Sequence, residues 1–329
     1  MNALKDCIRI EGVRLAQAAR RMGGSIAFDA DSALFRDLPG LSAPGLISPN
    51  GQCHLLRAAD GWVAVNLARE DDRAAVPAWL GCPIDGNNWS QIAQAAAGRG
   101  VANLIDQAVL LHMPVAAVGK SQPGLPVLHE RNRRESAGRP RVIDLSALWA
   151  GPLCAGFLAE AGAEVVKVDS LSRPDPTPVT TPLLHARLNG RKRVMRAEFG
   201  APAVHALIAK ADVLVTSGRP HALARMGFDE ARLFAANPRL LWVAITAHGW
   251  IGEGAMRVGF GDDCAAAGGL VRWHDGIPAF IGDALADPLT GMSAARVALE
   301  ALAEGKSGLI DAALAPTAAH YASIMGLRP

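Results

Sequence analysis

The chain has 329 residues, of which 50% are hydrophobic and 19% charged, with a formal net charge of +2. That composition excludes a disordered chain, gives no overall basic bias toward nucleic acid, and suits two domains better than one. The five cysteines (Cys7, Cys53, Cys82, Cys154 and Cys264) form no C-x-x-C pair, which points away from a disulfide framework or a zinc site and toward a reducing compartment. The opening residues, MNALKDCIRIEGVRLAQAARR, have no continuous apolar core of a signal peptide. No apolar stretch reaches the roughly 18 to 20 residues of a membrane span. The expectation is a cytoplasmic protein with no membrane, nucleic-acid or metal partner.

In chain order, residues 7–21 carry a helical apolar pattern, and residues 37–52, rich in Pro and Gly, read as loop. A hairpin follows: Cys53–Leu56, a turn at Ala59-Asp60-Gly61, then Trp62–Leu67. Helices are predicted near 72–80, 89–97 and 101–112, and Pro114–Val118 reads as a short buried strand. The polar run His129–Pro140 reads as a linker or a surface crossing. Beyond it strands and helices alternate. Arg141–Leu145 is a strand, and Gly151-Pro152 opens a helix that ends at Gly162. Glu164–Val168 is a strand, and 170–184 a Pro-rich loop. Helices near 201–210 and 229–236 lead into strands at Asp212–Val215 and Leu240–Ile245. Repeated βα alternation means a parallel sheet with helices on both faces. The predicted fold is therefore α/β: a Rossmann-like large domain at 131–329 plus a smaller α+β domain at 1–130.

Several chemistries are disfavoured by missing motifs. No G-x-G-x-x-G follows a predicted strand, and there is no phosphate-binding G-x-x-x-x-G-K-[ST] loop and no G-x-S-x-G elbow. On the residues alone, Ala150-Gly151-Pro152 is a tight opening of a helix, where free backbone N–H groups favour anions. Asp287-Pro288 reads first as a helix start, with the aspartate as N-cap and the proline at the first helical position. Asp283 lies four residues earlier and is the rival to Asp287, or simply a turn residue.

The stretch RVIDLSALWAGPLCAGFLAEAGAEVVKVD, Arg141 to Asp169, closely resembles the opening of family III (CaiB/BaiF-type) coenzyme A transferases. In that family a strand ending in Asp-Leu-Ser is followed by Ala-Gly-Pro, a helix closing on Gly-Ala, and a strand ending in Val-Lys-Val plus an acid. Asn189-Gly190-Arg191-Lys192-Arg193, Arg219-Pro220, Arg225-Met226-Gly227, Asn237-Pro238-Arg239-Leu240 and Gly305–Asp311 continue the resemblance in order. It implies an acyl-CoA:carboxylate CoA transferase that works through an aspartyl-CoA thioester on Asp287, which stands four residues before Gly291 as the family's nucleophile does. A carboxylate at a helix N-terminus is expected to stay ionised. The resemblance further implies coenzyme A as co-substrate and a homodimer. It assigns Arg225 to the nucleotide end, with Arg191 and Lys192 in the nearest basic cluster, and Arg257 near the thioester. Ala150 and Gly151 would line the reaction centre and donate to its oxyanion, while Trp149 would shape the acyl pocket.

The chain departs from the family in three places. Trp149 stands where an amide is usual, so the acyl group stays open. Phe260 stands where the racemase branch carries a histidine, which disfavours racemisation; Asp262 and Asp263 beside it read as a helix start. Residues 53–118 resemble the family's smaller domain, which normally comes last, and imply a circular permutation. An isomerase or lyase of the same family and a non-catalytic acyl-CoA-binding protein remain the alternatives.

Overall fold

The computed structural model describes residues 2–36, 38, 40–134 and 138–327. Its centre is a seven-stranded sheet in the order β4-β12-β9-β8-β5-β6-β7. The small body contributes β1 (Cys53–Ala58), β2 (Gly61–Asn66) and β3 (Val115–Ala117), and the edge strand β4 is Val127–Arg133. The parallel strands are β5 (Arg141–Asp144), β6 (Glu164–Asp169), β7 (Arg193–Arg196), β8 (Val213–Ser217), β9 (Leu241–Thr246) and β12 (Lys306–Ala313), and β10 (Val271–His274) pairs with β11 (Ile277–Phe280) as a hairpin. Val- and Ile-rich strands buried on both faces suit a parallel sheet: β9, Leu241–Thr246, is buried at every position. From β5 the chain builds β6 and β7 on one side, then returns to build β8, β9 and β12 on the other. The carboxyl ends of β5 and β8 therefore diverge at a topological switch point, where open α/β sheets place ligands.

The run His129–Pro140 departs from the linker expectation. Its first part belongs to β4, which pairs antiparallel with β12. Exposure explains the misreading: β4 is an outer edge with hardly any buried side chain, so it lacks the apolar signature of a strand and carries the charges that blunt an edge. Glu135, Ser136 and Ala137 lie outside the described residues. The Pro-rich 170–184 segment holds two short helices, Thr177–Thr180 and Pro182–Asn189, each with proline in its first turn.

The expected division at residue 130 meets a more interleaved packing. Residues 53–117 have their own core, in which Trp79, Leu80, Ile92 and Leu104 pack over β2. Helix Asn2–Arg21, however, buries Leu4, Ile8, Leu15 and Ala18 in the core of the large sheet, together with Ala294, Ala298 and Leu302 of helix Ala286–Ala303. The N-terminal segment thus belongs to the large body, and this brings Arg36 to the site.

Candidate active site

Three buried ion pairs fix the loop that leaves β5. Asp144, the last residue of β5, accepts from the Ser146 backbone N–H and hydroxyl. Lys192 Nζ lies 2.8 Å from Asp144 Oδ2 and also donates to Pro152 O and Asn189 Oδ1. Burial pushes the Asp144 carboxyl up, but the ammonium charges of Lys192 and Lys167 outweigh it and hold the group below its ordinary value. Lys167 in turn contacts Asp175 at 3.2 Å and Asp169 at 3.5 Å. Clamped in this way, the loop presents Ala147, Leu148, Trp149 and Ala150. Leu148 adopts φ 68°, a strained conformation of the kind that collects at functional sites.

Helix Ala286–Ala303 delivers Asp287 to this loop. Gly291 makes the approach possible, since a Cβ there would lie 2.6 Å from Ala150 O. The Ala150 backbone N–H bonds the Asp287 carboxylate. The spacing Asp287-x-x-x-Gly291 therefore has a physical reason: the glycine lets two helix starts touch, and the aspartate one turn earlier meets the free N–H groups of the other. Two expectations are corrected here. Asp287 lies inside the first turn, and the cap position belongs to Leu285. Nor is the carboxylate held ionised by the helix end. Burial pushes its pKa up to about 7, with Arg36 pulling down and Asp262 and Asp283 pushing up. Desolvation of a fully buried carboxylate outweighs the helix-end field, which is worth about 0.3–1 kcal/mol at ordinary sites.

Around Asp287 lies a polar cluster. The Asn50 amide nitrogen lies 2.6 Å from Asp262 Oδ2 and 2.7 Å from Asp283 Oδ1, and the Ala284 N–H donates to Asp262 at 2.7 Å. Arg36 Nε lies 2.7 Å from Asp283 Oδ2. Burial, then the Asp283 charge, pushes Asp262 up to about 6. Gly261 packs so closely that a Cβ would fall 2.2 Å from Asp287 Oδ2 and 2.7 Å from the Ala284 carbonyl. Gly261→Ala is therefore expected to shift Asp287, costing roughly 1–3 kcal/mol in stability and more than about tenfold in any activity that uses the carboxylate. Thermal unfolding and single-turnover rates check the two parts.

Asp287 stands in the wall between two cavities, and no other carboxylate lines both. One, of about 410 Å³, runs past Leu148, Trp149, Leu184, Phe260 and Ala284. The other, of about 310 Å³, opens at the carboxyl ends of β5, β8 and β9 and is ringed by Arg69, Arg173, Arg219 and Arg257. Like charges crowd this second cavity. The Arg219 guanidinium is pushed below its usual value first by burial, then by Arg69, Arg173 and Arg225. Its Nη1 lies 2.8 Å from His112 Nδ1.

The residues expected from the sequence scatter more than expected. Asp287, Ala150 and Gly151 meet at the arginine-lined cavity, as does Arg257. Gly151 is required there, because a Cβ would collide with Ser146 at 2.3 Å. Trp149 is 2% exposed, lines the other cavity and has Arg36 over its ring at 5.4 Å. Lys192, expected to bind phosphate, is buried with its ammonium satisfied by three oxygens, so it holds the loop and is not open to a ligand. Arg191 lines a separate cavity with Phe28, Asp29 and Glu160. Arg225 lines another, beside His205 and Arg232, at the far end of the short helix that Arg219 caps. Arg36, Asn50, Arg69, Arg173 and Arg219 were not singled out as site residues in the sequence. Arg219 alone had a local signal, its Arg-Pro pair after a strand; the others reach the site only through tertiary packing.

Among the described residues, His248, Asp263 and Cys264 bring metal-ligating atoms within 4.8 Å of one another. Asp263 already accepts from the Asn66 amide and the Phe260 N–H, and Arg257 turns its charge toward Asp263 and Cys264. Among the described residues no helix is long and apolar enough to cross a membrane.

The sequence profile of CoA-transferase family III matches residues 140–326. The chain is 31% identical over 176 residues to a succinyl-CoA–D-citramalate CoA-transferase of Chloroflexus aurantiacus, covering 49% of this chain and 44% of that one. It is 30% identical over 207 residues to a succinate–glutarate CoA-transferase of Agrobacterium fabrum, covering 56% and 52%. The chain thus spans about half the length of the curated relatives it matches. Among solved structures, a hypothetical protein from Mycobacterium tuberculosis superposes with a TM-score of 0.52 at 26% identity, over 58% of each chain. A CaiB/BaiF family protein from Brucella suis superposes with a TM-score of 0.50 at 29% identity, over 58% of this chain and 56% of that one. The βα repeat, the Ala150-Gly151 helix opening and the matched profile, which spans more than half of the sequence, agree: this chain belongs to the family III CoA-transferases.

Proposed function

We propose that the protein is an acyl-CoA:carboxylate CoA transferase with Asp287 as nucleophile, CoA in the arginine-lined cavity and the acyl group in the aromatic one. The observation that carries this reading is the place of the Asp287 carboxylate in the wall common to both cavities. The names of the relatives, which hand CoA between carboxylic acids, support the reaction class.

In the ionised form, an Asp287 oxygen attacks the thioester carbonyl carbon. A C–O bond forms, the C–S bond breaks, CoA leaves as thiolate and a mixed aspartyl–acyl anhydride remains. The thiolate then attacks the Asp287 carbonyl carbon, which releases the donor acid and leaves an aspartyl-CoA thioester. The acceptor carboxylate attacks that thioester and expels the thiolate. The thiolate finally takes the acceptor acyl group from the new anhydride and regenerates Asp287. Arg173, Arg219 and Arg257 supply the positive field for the phosphates and for the departing thiolate. The same reading includes a cytoplasmic homodimer and a permuted domain order, with the small body ahead of the large sheet.

Incubation with acyl-CoA thioesters and hydroxylamine, followed by mass spectrometry, tests the proposal. A hydroxamate on Asp287, absent from Asp287→Asn, is the expected result; no adduct across a broad panel overturns it. Arg219→Ala is expected to weaken CoA binding roughly 10- to 100-fold by calorimetry, whereas Arg191→Ala leaves it unchanged.

One observation favours a second reading. Asp262 and Asp287 both line the acyl cavity with pKa values raised to about 6 and about 7, as a proton-transfer pair for isomerisation would. Deuterium uptake from solvent into the acyl chain, without CoA exchange, would select it.

A further inference from the structure

Both cations that line the acyl cavity among the described residues, Arg36 and Arg69, face a buried aspartate, Arg69 through hydrogen bonds and Arg36 by charge. Arg36 contacts Asp283 at 2.7 Å, and its guanidinium lies 5.4 Å from the Trp149 ring centroid. Arg69 grips Asp72 through Nε at 2.8 Å and Nη2 at 2.5 Å, donates to His112 O at 3.0 Å, and stands 5.5 Å from the Phe260 centroid. The two acidic partners are buried, at 8% exposure for Asp283 and 2% for Asp72. A ligand that pulled either arginine away would leave a buried carboxylate unpaired, which is costly. Asp262 and Asp287 add two further carboxyl groups to the wall.

The remaining polar groups are mostly occupied as well. Asn50 holds Asp262 and Asp283, Asn66 holds Asp263, and the Thr177 hydroxyl donates to Asp175. Trp149 Nε1 and Thr181 Oγ1 are buried without partners and suit at most an uncharged oxygen. Arg36 Nε and Asp283 Oδ2 also lack hydrogen-bond partners, so each has the other only as its counter-charge, and a ligand could take Arg36 only by leaving the buried Asp283 without it. The rest of the wall is Leu148, Leu184, Ala68, Ala284 and the two aromatic rings. The contrast with the neighbouring cavity is electrostatic: there Arg173, Arg219 and Arg257 have no carboxylate ion pair among the described residues, and here Arg69, shared by both walls, is held by Asp72 and Arg36 faces Asp283.

We infer that the acyl cavity takes a hydrocarbon acyl group, aliphatic or aromatic, and rejects one that ends in a second carboxylate. A second carboxylate would lose its hydration without gaining a free cation, whereas each buried methylene gains about 0.8 kcal/mol, or roughly fourfold in affinity. The inference rests on the placement of CoA and acyl group proposed above.

The test is calorimetric titration of Asp287→Asn, which binds without reacting, using phenylacetyl-CoA, hexanoyl-CoA, succinyl-CoA and free CoA. The expected result is binding of the first two at least about tenfold tighter than succinyl-CoA. Thr180→Lys, at the exposed rim of the cavity, adds a cation with no assigned aspartate and is expected to narrow that ratio. Equal or tighter binding of succinyl-CoA overturns the inference. So does binding of free CoA with no gain from any acyl group, although that result leaves the CoA cavity standing. If nothing binds, free CoA included, the transferase reading falls with it.

Discussion

Asp287→Asn is expected to lower CoA transfer by at least about 10³-fold, because the nucleophile is removed with little change of shape. The same substitution is expected to make the protein more stable at alkaline pH. The sign follows from the raised pKa. Asp287 moves from an ordinary 3.8 to about 7 in the fold, chiefly through burial. Folding therefore favours the protonated group. Its contribution is fully present below pH ~4 and is lost as pH rises through about 7. Asp262, raised to about 6, adds a loss in an overlapping window. Wild-type protein should lose thermal stability between about pH 4 and pH 7, and Asp287→Asn should recover part of that loss, of order a few kcal/mol. A melting temperature that is insensitive to pH in the wild type, or equally sensitive in the variant, would contradict this account. Catalysis runs the opposite way, since attack needs the ionised carboxylate: the acid limb of the transfer rate should rise with pH and level off above about 7. On the proposed mechanism, stability given up at Asp287 is the counterpart of its reactivity.

The largest expected loss of stability lies one layer back, at Lys192. Lys192→Met keeps the length of the side chain but removes the ammonium that serves Asp144, Pro152 O and Asn189. Breaking a buried pair by removing one partner costs about 3–5 kcal/mol. In a protein of this size that is roughly a 10 °C fall in melting temperature. Lowering the pH toward 4 should shrink the deficit as the stranded Asp144 takes up a proton. Adding Asp144→Asn to Lys192→Met should recover much of it at neutral pH, because the buried charge is then gone. Affinity for free CoA should change little in any variant that still folds. A phosphate-binding lysine would instead show weakened CoA binding with unchanged melting, so the two roles separate cleanly.

Lys192 also illustrates how far a sequence can be read. Asn189-Gly190-Arg191-Lys192-Arg193 is a run of positive charge, and a chain read linearly gives no means of telling which of its cations turns inward. That was decided by β7, which starts at Arg193 and pairs with β6, and by the helix Pro182–Asn189 before it. Together they aim position 192 at the end of β5. Arg191 points to another cavity altogether. The positive field at the site comes instead from Arg173, Arg219 and Arg257, three residues drawn from three separate loops.

Local order was legible wherever burial and local sequence agreed. The parallel strands are apolar on both faces, so β5, β6, β8 and β9 stand out. The hairpin around Asp60-Gly61 and the helix opening at Gly151-Pro152 carry their own turn and cap chemistry. Asp287 was legible through its spacing to Gly291, whose physical reason is the contact of two helix starts. By itself, then, the sequence determined the α/β class and most of the elements, and singled out Asp287. Tertiary structure decided the raised pKa of Asp287, because burial comes from the packing around it and the charges of Arg36 and Asp262 come from segments distant in the chain. It also decided that β4, too polar to look like a strand, closes the sheet edge, and that the N-terminal helix joins the large core. The character of the two cavities was settled in the same way, since a guanidinium is a ligand-binding charge or a satisfied wall according to whether folding gives it an aspartate.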